Sequence, residues 1–327
     1  MPARDGWVAL NLPRVDDRAV LPALFCNGEL AVDDNEAVGA AMALHSAAEI
    51  VARGREIGLA IAHLDEAPAG PASIVSTIAD QREPPAHVPL VVDLTALWAG
   101  PLAGHLLWLA GAHVVKVESS ARPDAMRQGD PALFALLNQG KASVALDLRD
   151  PADRDALVAL IRRADIVLEA ARPRALHQLG IDGDTIVRET PGLNWVTIKG
   201  HGVLGAAGDW IGFGDDCGVA GGLSAALRAA TGAVGFVGDA IADPLTGLSA
   251  ATVAWDRWAS GMGGRIILSM SGTVRAVMEM EREGLDVVLR HWANSVGRPF
   301  PTPAPRRPSA PVATIGQDNA AWLAVRC

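Results

Sequence analysis

The sequence predicts an α/β protein: a Rossmann-like, mostly parallel sheet with helices on both faces, plus a small N-terminal α/β domain. Three observations carry this. From Pro89 onward, short Val-, Ile- and Leu-rich runs alternate with helical patterns, which implies crossover units and parallel pairing. Runs such as Leu90-Val91-Val92 and Ile166-Val167-Leu168 read as buried strands of a sheet covered on both faces. Residues 1–66 hold their own strand–helix–strand pattern, followed by a Pro-rich break.

In chain order, Trp7–Leu10 reads as a short strand. Asp16 reads as the cap of a helix that ends before the turn Asn27-Gly28. Ser46 to Glu49 has the spacing of a capping box, and its helix ends at Gly58. Leu59–Ala62 is a buried strand. Residues 67–88, with Pro68, Pro71, Pro84 and Pro85, read as a linker with one short helix near Ile74–Ala79. Residues 89–298 form the Rossmann-like domain. Its strands are Leu90–Leu94, His113–Glu118, Ser143–Leu148, Ile166–Leu168, Trp195–Ile198 and Arg265–Met270. Gly100-Pro101 opens the first crossover helix, which stops at Gly111. Asp150-Pro151 caps and starts another. Asp243 sits where an N-cap belongs, with Pro244 at N1, and the helix behind it turns Leu245, Leu248, Ala251, Trp255 and Trp258 to one face. Residues 299–327 are a Pro-rich tail that ends in a short helix near Asn319–Val325.

The 327 residues are half apolar, enough for more than one core. A net charge of −9 argues against nucleic acid or an anionic membrane as partner, and no apolar run reaches the length of a membrane span. Cys26, Cys217 and Cys327 lie far apart, without metal spacing or a CxxC pair, so they read as reduced thiols of a cytoplasmic protein that holds no metal. With no Tyr, phenol chemistry is ruled out.

In such folds ligands bind beyond the C-terminal strand ends. A dinucleotide reading would place Glu118 on a ribose, yet Gly100 and Gly104 lie four apart and the GxGxxG pattern is absent. Arg172 and Arg174 follow the fourth strand, and Lys141 precedes the third. Each is a candidate for phosphate, with a solvated turn as the alternative. Asp215 reads as a helix cap and Asp216 as a first-turn acid, with no His or third acid completing a metal set nearby. Asp243 by itself is either a cap and nothing more or a carboxylate held for chemistry. His201 is the one histidine on the presumed ligand edge, structural or an acid/base.

Taken together, these segments resemble the family III CoA-transferases, a superfamily that includes formyl-CoA and carnitine CoA-transferases and the α-methylacyl-CoA racemases. The resemblance covers roughly residues 88–275. It is carried by Val92-Asp93-Leu94 through Trp98-Ala99-Gly100-Pro101-Leu102-Ala103-Gly104, by Gly111 to Glu118, by Leu137 to Leu148, by Ala164 to Glu169 with Arg172-Pro173-Arg174, by Ile241 to Leu248, and by Leu268-Ser269-Met270. The resemblance implies that Asp243 is the nucleophile, attacking an acyl-CoA thioester and passing CoA to a carboxylic acid through covalent aspartyl intermediates. It implies that Trp98, Ala99, Ala171, Phe213 and Met270 line the CoA channel, and it raises Arg172, Arg174 and Lys141 as phosphate ligands. Gly221 and Gly222 are candidate oxyanion donors. Acyl-CoA is then a substrate, the second partner is a small carboxylic acid, no cofactor is tightly bound, and the protein is a homodimer. Departures are specific. Phe213 replaces the histidine of the racemase branch, Ser119 an arginine of the formyl-CoA enzymes, and Ala170-Ala171 an Asn-Phe pair. The small domain is placed first and a Gly-rich lid is missing. The alternatives are a racemase, with His201 as substitute base, and a non-catalytic CoA-binding paralogue.

Overall fold

In the computed structural model the described residues are 1–14, 16–68, 70–170, 175–296 and 307–323. The chain forms two compact units. One comprises Met1–Ala72, Lys199–Asp243 and Ser269–Pro301, the other Ser73–Ile198, Pro244–Leu268 and Thr302–Cys327.

In the first unit, β1 (Val8–Asn11) and β2 (Ala60–His63) pair antiparallel, Val8 opposite His63 and Asn11 opposite Ala60. Helices Leu21–Phe25, Asn35–Ala43 and Ala47–Glu56 close over Leu21, Leu24, Phe25, Met42, Ile50, Leu59 and Ile61. Neither expected side-chain cap forms. Asp17, not Asp16, is buried at the first helix, where it accepts the Arg14 N–H and its Nε. The Ala47 N–H donates to Asp5 Oδ1 at 2.8 Å, and Ser46 makes no side-chain cap. The capping box therefore does not form; an aspartate 42 residues upstream takes its role.

The second unit holds one seven-stranded sheet. Its strands are β3 (Ser73–Ala79), β4 (Leu90–Asp93), β5 (His113–Ser119), β6 (Ala142–Leu146), β7 (Ile166–Glu169), β8 (Asn194–Lys199) and β9 (Gly263–Ser269). Their spatial order is β3-β9-β8-β7-β4-β5-β6. Pairs β4–β5, β4–β7, β5–β6 and β7–β8 are parallel. The chain thus winds outward from β4 in both directions, and the order reverses between β4 and β7, where a doubly wound sheet opens a crevice. Val92, Val115, Val144, Val167 and Trp195 fill the core, each no more than 0% exposed.

The segment expected as a linker with a helix carries β3 instead, antiparallel to β9. Its residues Ser73, Val75, Ser76 and Ile78 are exposed, so it is an edge strand with no consistent buried face although it pairs along its length. At the opposite edge the tail replaces a neighbouring strand. Asp318 Oδ2 accepts the Ser143 N–H at 2.8 Å, and Asn319 pairs with both the N–H and the C=O of Ala145 at 2.9 Å. These contacts satisfy backbone groups that an open edge would leave to water or to another chain. The final helix, Asn319–Leu323, sets Trp322 and Leu323 against the core. No helix among the described residues is long and apolar enough to cross a membrane.

Candidate active site

The loop at the end of β4 is held by buried charge. Asp93 Oδ1 accepts the Thr95 N–H at 3.0 Å and also the Thr95 hydroxyl. Lys116 Nζ donates to the Thr95 carbonyl and to Asp124 Oδ2, both at 2.9 Å, while Asp124 Oδ1 accepts the Leu97 N–H at 3.2 Å. Leu97 lies at φ +68°, a left-handed conformation that bulky residues avoid unless their surroundings fix it. The turn delivers half-buried Trp98 and buried Ala99 to the start of the helix Ala99–Leu109, at the C-terminal edge beside the switch point. Gly100 is needed there because a Cβ would meet the Thr95 side chain.

Lys141 does not join a phosphate site. Its side chain is 1% exposed, and its Nζ donates to Asp93 Oδ2 (2.8 Å), the Pro101 carbonyl (2.9 Å) and Asn138 Oδ1 (3.0 Å). An ammonium has three donors, and all three are used. Burial and the neighbouring Lys116 pull its pKa down to about 8 against the pull of Asp93. Glu118 is likewise occupied, holding Arg127 at 2.5 Å and the Asp124 N–H at 2.9 Å, so it offers nothing to a ribose. Ala171, Arg172 and Arg174 lie outside the described residues.

The helix expected to begin at Pro244 spans Ala242–Ala259. Asp243 is therefore a first-turn acid rather than the N-cap, and its N–H donates to the Ala240 carbonyl at 2.8 Å. A negative charge in the first turn is favoured by the helix dipole. The approach to it is tightly wound: Gly238 lies at φ +77° and Ala240 at φ +45°. The Ala240 N–H donates to Asp215 Oδ1 at 3.0 Å, which holds that unfavourable conformation. Asp215 is thus a tether for the Asp243 loop and not the cap expected of it. Burial raises the pKa of Asp215, with Asp239 and Asp216 adding to the rise.

The half-buried Asp243 carboxylate lies against the backbone of Gly214, where a Cβ would collide with Asp243 Oδ2 and the Ala240 carbonyl. Gly214→Ala should therefore displace the carboxylate. A crystal structure of the variant should show the Asp243 carboxylate moved and the Ala240 loop shifted with it; an Asp243 left in place would mean that this contact does not set its geometry. Phe213, next to it, is half-buried and is the N-cap residue of the helix Gly214–Ala220. Asp216 reaches back from the first turn to its N–H at 2.9 Å.

The remaining expectations fare differently. Gly221 and Gly222 are not oxyanion donors: their N–H groups donate to the carbonyls of Cys217 (2.9 Å) and Val219 (2.8 Å), closing that helix. Met270 is 5% exposed and starts the helix Met270–Met280 behind a Ser269 cap. His201 is 2% exposed, and its Nε2 lies 2.8 Å from Asp216 Oδ2, so it is too deep to serve as a racemase base. The sequence reading also missed that a His and a thiol stand beside Asp216. Ligand-type atoms of His201, Asp216 and Cys217 lie within 4.8 Å of one another, all buried. The imidazole and carboxylate use each other as hydrogen-bond partners, and burial followed by the charge of Asp216 raises the Cys217 pKa well above its ordinary value. The signals for Gly214 and Ala240 were present only as the runs Gly212-Phe213-Gly214 and Gly238-Asp239-Ala240.

The fold and this loop define an α/β protein of the doubly wound class with a carboxylate set at a helix start. A family model, CoA-transferase family III, matches residues 89–291, and the chain belongs to that family. It is 32% identical over 218 residues to a succinyl-CoA–D-citramalate CoA-transferase of Chloroflexus aurantiacus, covering 62% of this chain and 53% of that protein. It is 30% identical over 202 residues to a formyl-CoA:oxalate CoA-transferase of Afipia carboxidovorans, covering 56% and 46%. Among solved structures, a hypothetical protein of Mycobacterium tuberculosis superposes with a TM-score of 0.55 at 26% identity, over 63% of this chain and 59% of its own. The chain spans about half the length of the curated relatives it matches.

Proposed function

We propose that this chain transfers CoA from an acyl-CoA to a small carboxylic acid through covalent intermediates on Asp243. The observation that carries the reading is the Asp243 carboxylate. It is seated on Gly214 in the first turn of a long helix, behind a strained loop tethered by Asp215, in a chain of this family. Backbone strain of this kind gathers at functional sites because the surroundings must over-determine it.

The chemistry follows from a carboxylate nucleophile. An Asp243 oxygen attacks the thioester carbonyl, the C–S bond breaks, and CoA leaves as thiolate, giving a mixed anhydride. The thiolate attacks the Asp243 carbonyl carbon, releasing the donor acid and forming an aspartyl-CoA thioester. The acceptor carboxylate displaces CoA from Asp243, forming a second anhydride. The thiolate then attacks the acceptor's acyl carbon, giving the new acyl-CoA and the free Asp243 carboxylate. Each step exchanges one activated acyl group for another, so no tightly bound cofactor is needed. Trp98 and Ala99 remain candidates for contact with CoA. We read the protein as a cytoplasmic homodimer, a state that sedimentation would test. A racemase reading lacks support, since Phe213 cannot carry a proton and His201 is buried.

The test is product formation. Succinyl-, formyl- and acetyl-CoA are each incubated with oxalate, citramalate or glutarate, and the thioesters are separated by mass. A new acyl-CoA formed with loss of the donor supports the reading. CoA binding without exchange in any pair would support a non-catalytic relative instead.

A further inference from the structure

Asp216 has a carboxylate but no exposure to solvent. It is 0% exposed, and so is its environment: the His201 side chain it binds is 1% exposed. Its Oδ2 lies 2.8 Å from His201 Nε2, and its Oδ1 accepts the Phe213 N–H at 2.9 Å and Asn11 Nδ2 at 3.4 Å. Among the described residues His201 Nδ1 is buried without a hydrogen-bond partner, and there Asp216 alone orients the ring through hydrogen bonds. A buried polar pair of this kind is often no more stable than an apolar pair of the same volume, so fold stability alone does not account for it.

What the pair provides is a fixed seat for three residues. On one side, Asp216 holds the backbone at Phe213. On the other, Gly212 is wedged so closely that a Cβ would lie 2.5 Å from Cys217 Sγ and 2.9 Å from the His201 ring. Below, a Cβ on Gly200 would lie 2.8 Å from the Gly212 backbone. The Gly212–Gly214 segment therefore has one place to lie, and its last residue is the surface on which the Asp243 carboxylate rests.

We propose that His201 and Asp216 are positioning residues for Asp243. His201 fixes the Asp216 carboxylate, Asp216 fixes Phe213 and Gly214, and Gly214 sets where the Asp243 oxygens stand. Neither residue touches substrate. The inference rests on the reading of Asp243 as nucleophile and names the device that aims it.

The test compares the rate of acyl-adduct formation, CoA affinity and the unfolding midpoint in three full-length proteins: wild type, the double variant His201→Phe/Asp216→Leu, and Asp216→Asn. The double variant replaces the pair with apolar groups but leaves the Phe213 N–H without its acceptor, so its midpoint should fall by a few degrees while it stays folded at the assay temperature, where CoA affinity is measured beside the rate. Its adduct should form about 10²-fold more slowly, because the seat is no longer fixed. Asp216→Asn keeps an acceptor for Phe213 and can donate to Nε2 once His201 takes the other tautomer, so it should retain a rate within about threefold of wild type. A double variant that acylates at the wild-type rate overturns the proposal, as does one that slows only in step with lost CoA affinity or lost fold. An adduct absent from wild type overturns the nucleophile reading first and this inference with it. An adduct present in wild type and equally fast in the double variant overturns this inference alone.

Discussion

Asp243→Ala should transfer no CoA, with a loss of at least about 10⁴-fold in turnover, the scale on which removal of a covalent nucleophile registers. Two neighbouring carboxylates are already engaged. Asp215 holds the Ala240 N–H, and Asp216 is sealed against His201 and Phe213. The fold should survive, because Asp243 is only half-buried and is followed by a helix whose Ala250 and Ala254 are fully buried. The loss should therefore appear wholly in kcat, with CoA affinity and the unfolding midpoint near wild type. Asp243→Asn should fail similarly, since an amide keeps the shape but not the nucleophilic oxygen. An Asp243→Ala protein that still exchanges CoA within tenfold or so of wild type would remove Asp243 from the mechanism.

Lys141→Met should unfold far more readily than wild type, and for a reason unrelated to CoA. The substitution removes one half of a pair whose side chains are 1% and 0% exposed, and it leaves the Asp93 charge at the end of β4. Breaking a buried pair costs about 3–5 kcal/mol, and for a protein of this size that lowers the midpoint by roughly ten degrees. The pH dependence has a definite sign. Burial pushes the Asp93 pKa up, but Lys141 and Lys116 outweigh it and hold the carboxyl below its ordinary value. A carboxylate held low stabilises the fold above its unfolded pKa, about 4, and that contribution fades as pH falls through the lower folded value. Without Lys141, burial raises the Asp93 pKa and the group takes up its proton earlier. The deficit of Lys141→Met should therefore be full at neutral pH and already shrink above about pH 4, as the raised Asp93 carboxyl takes up its proton. Thermal unfolding of both proteins from pH 3 to 7 checks this. A constant gap would show that Asp93 is not what the lysine serves. Adding Asp93→Asn should restore much of the midpoint, because the cost lies in the unpaired charge.

These two residues show where the sequence was legible. The strands β4 to β9 could be read from their Val-, Ile- and Leu-rich runs alternating with helical patterns, although β5 also buries Lys116 and Glu118 among them. β3 could not, because an exposed edge strand with Ser73, Ser76 and Thr77 has no such run and sits between prolines. The Asp243 loop stood out through its glycines and Pro244, both of which constrain backbone locally. Lys141 was misread because its partner lies 48 residues upstream, and a cation looks the same in sequence whether it faces a phosphate or a buried aspartate. Gly221 and Gly222 looked like free amides until the helix before them was seen to consume both N–H groups. The His201–Asp216 pair joins residues 15 apart across a turn, a contact made by folding alone.

The measurement that tests the central claim most directly is the intact mass of the protein after incubation with acyl-CoA, followed by hydroxylamine trapping and peptide mapping. The account predicts an acyl or CoA adduct on wild type, a hydroxamate on the peptide that contains Asp243, and neither on Asp243→Ala. Steady exchange of CoA with no adduct, or a hydroxamate that maps to another residue and persists in Asp243→Ala, would contradict it.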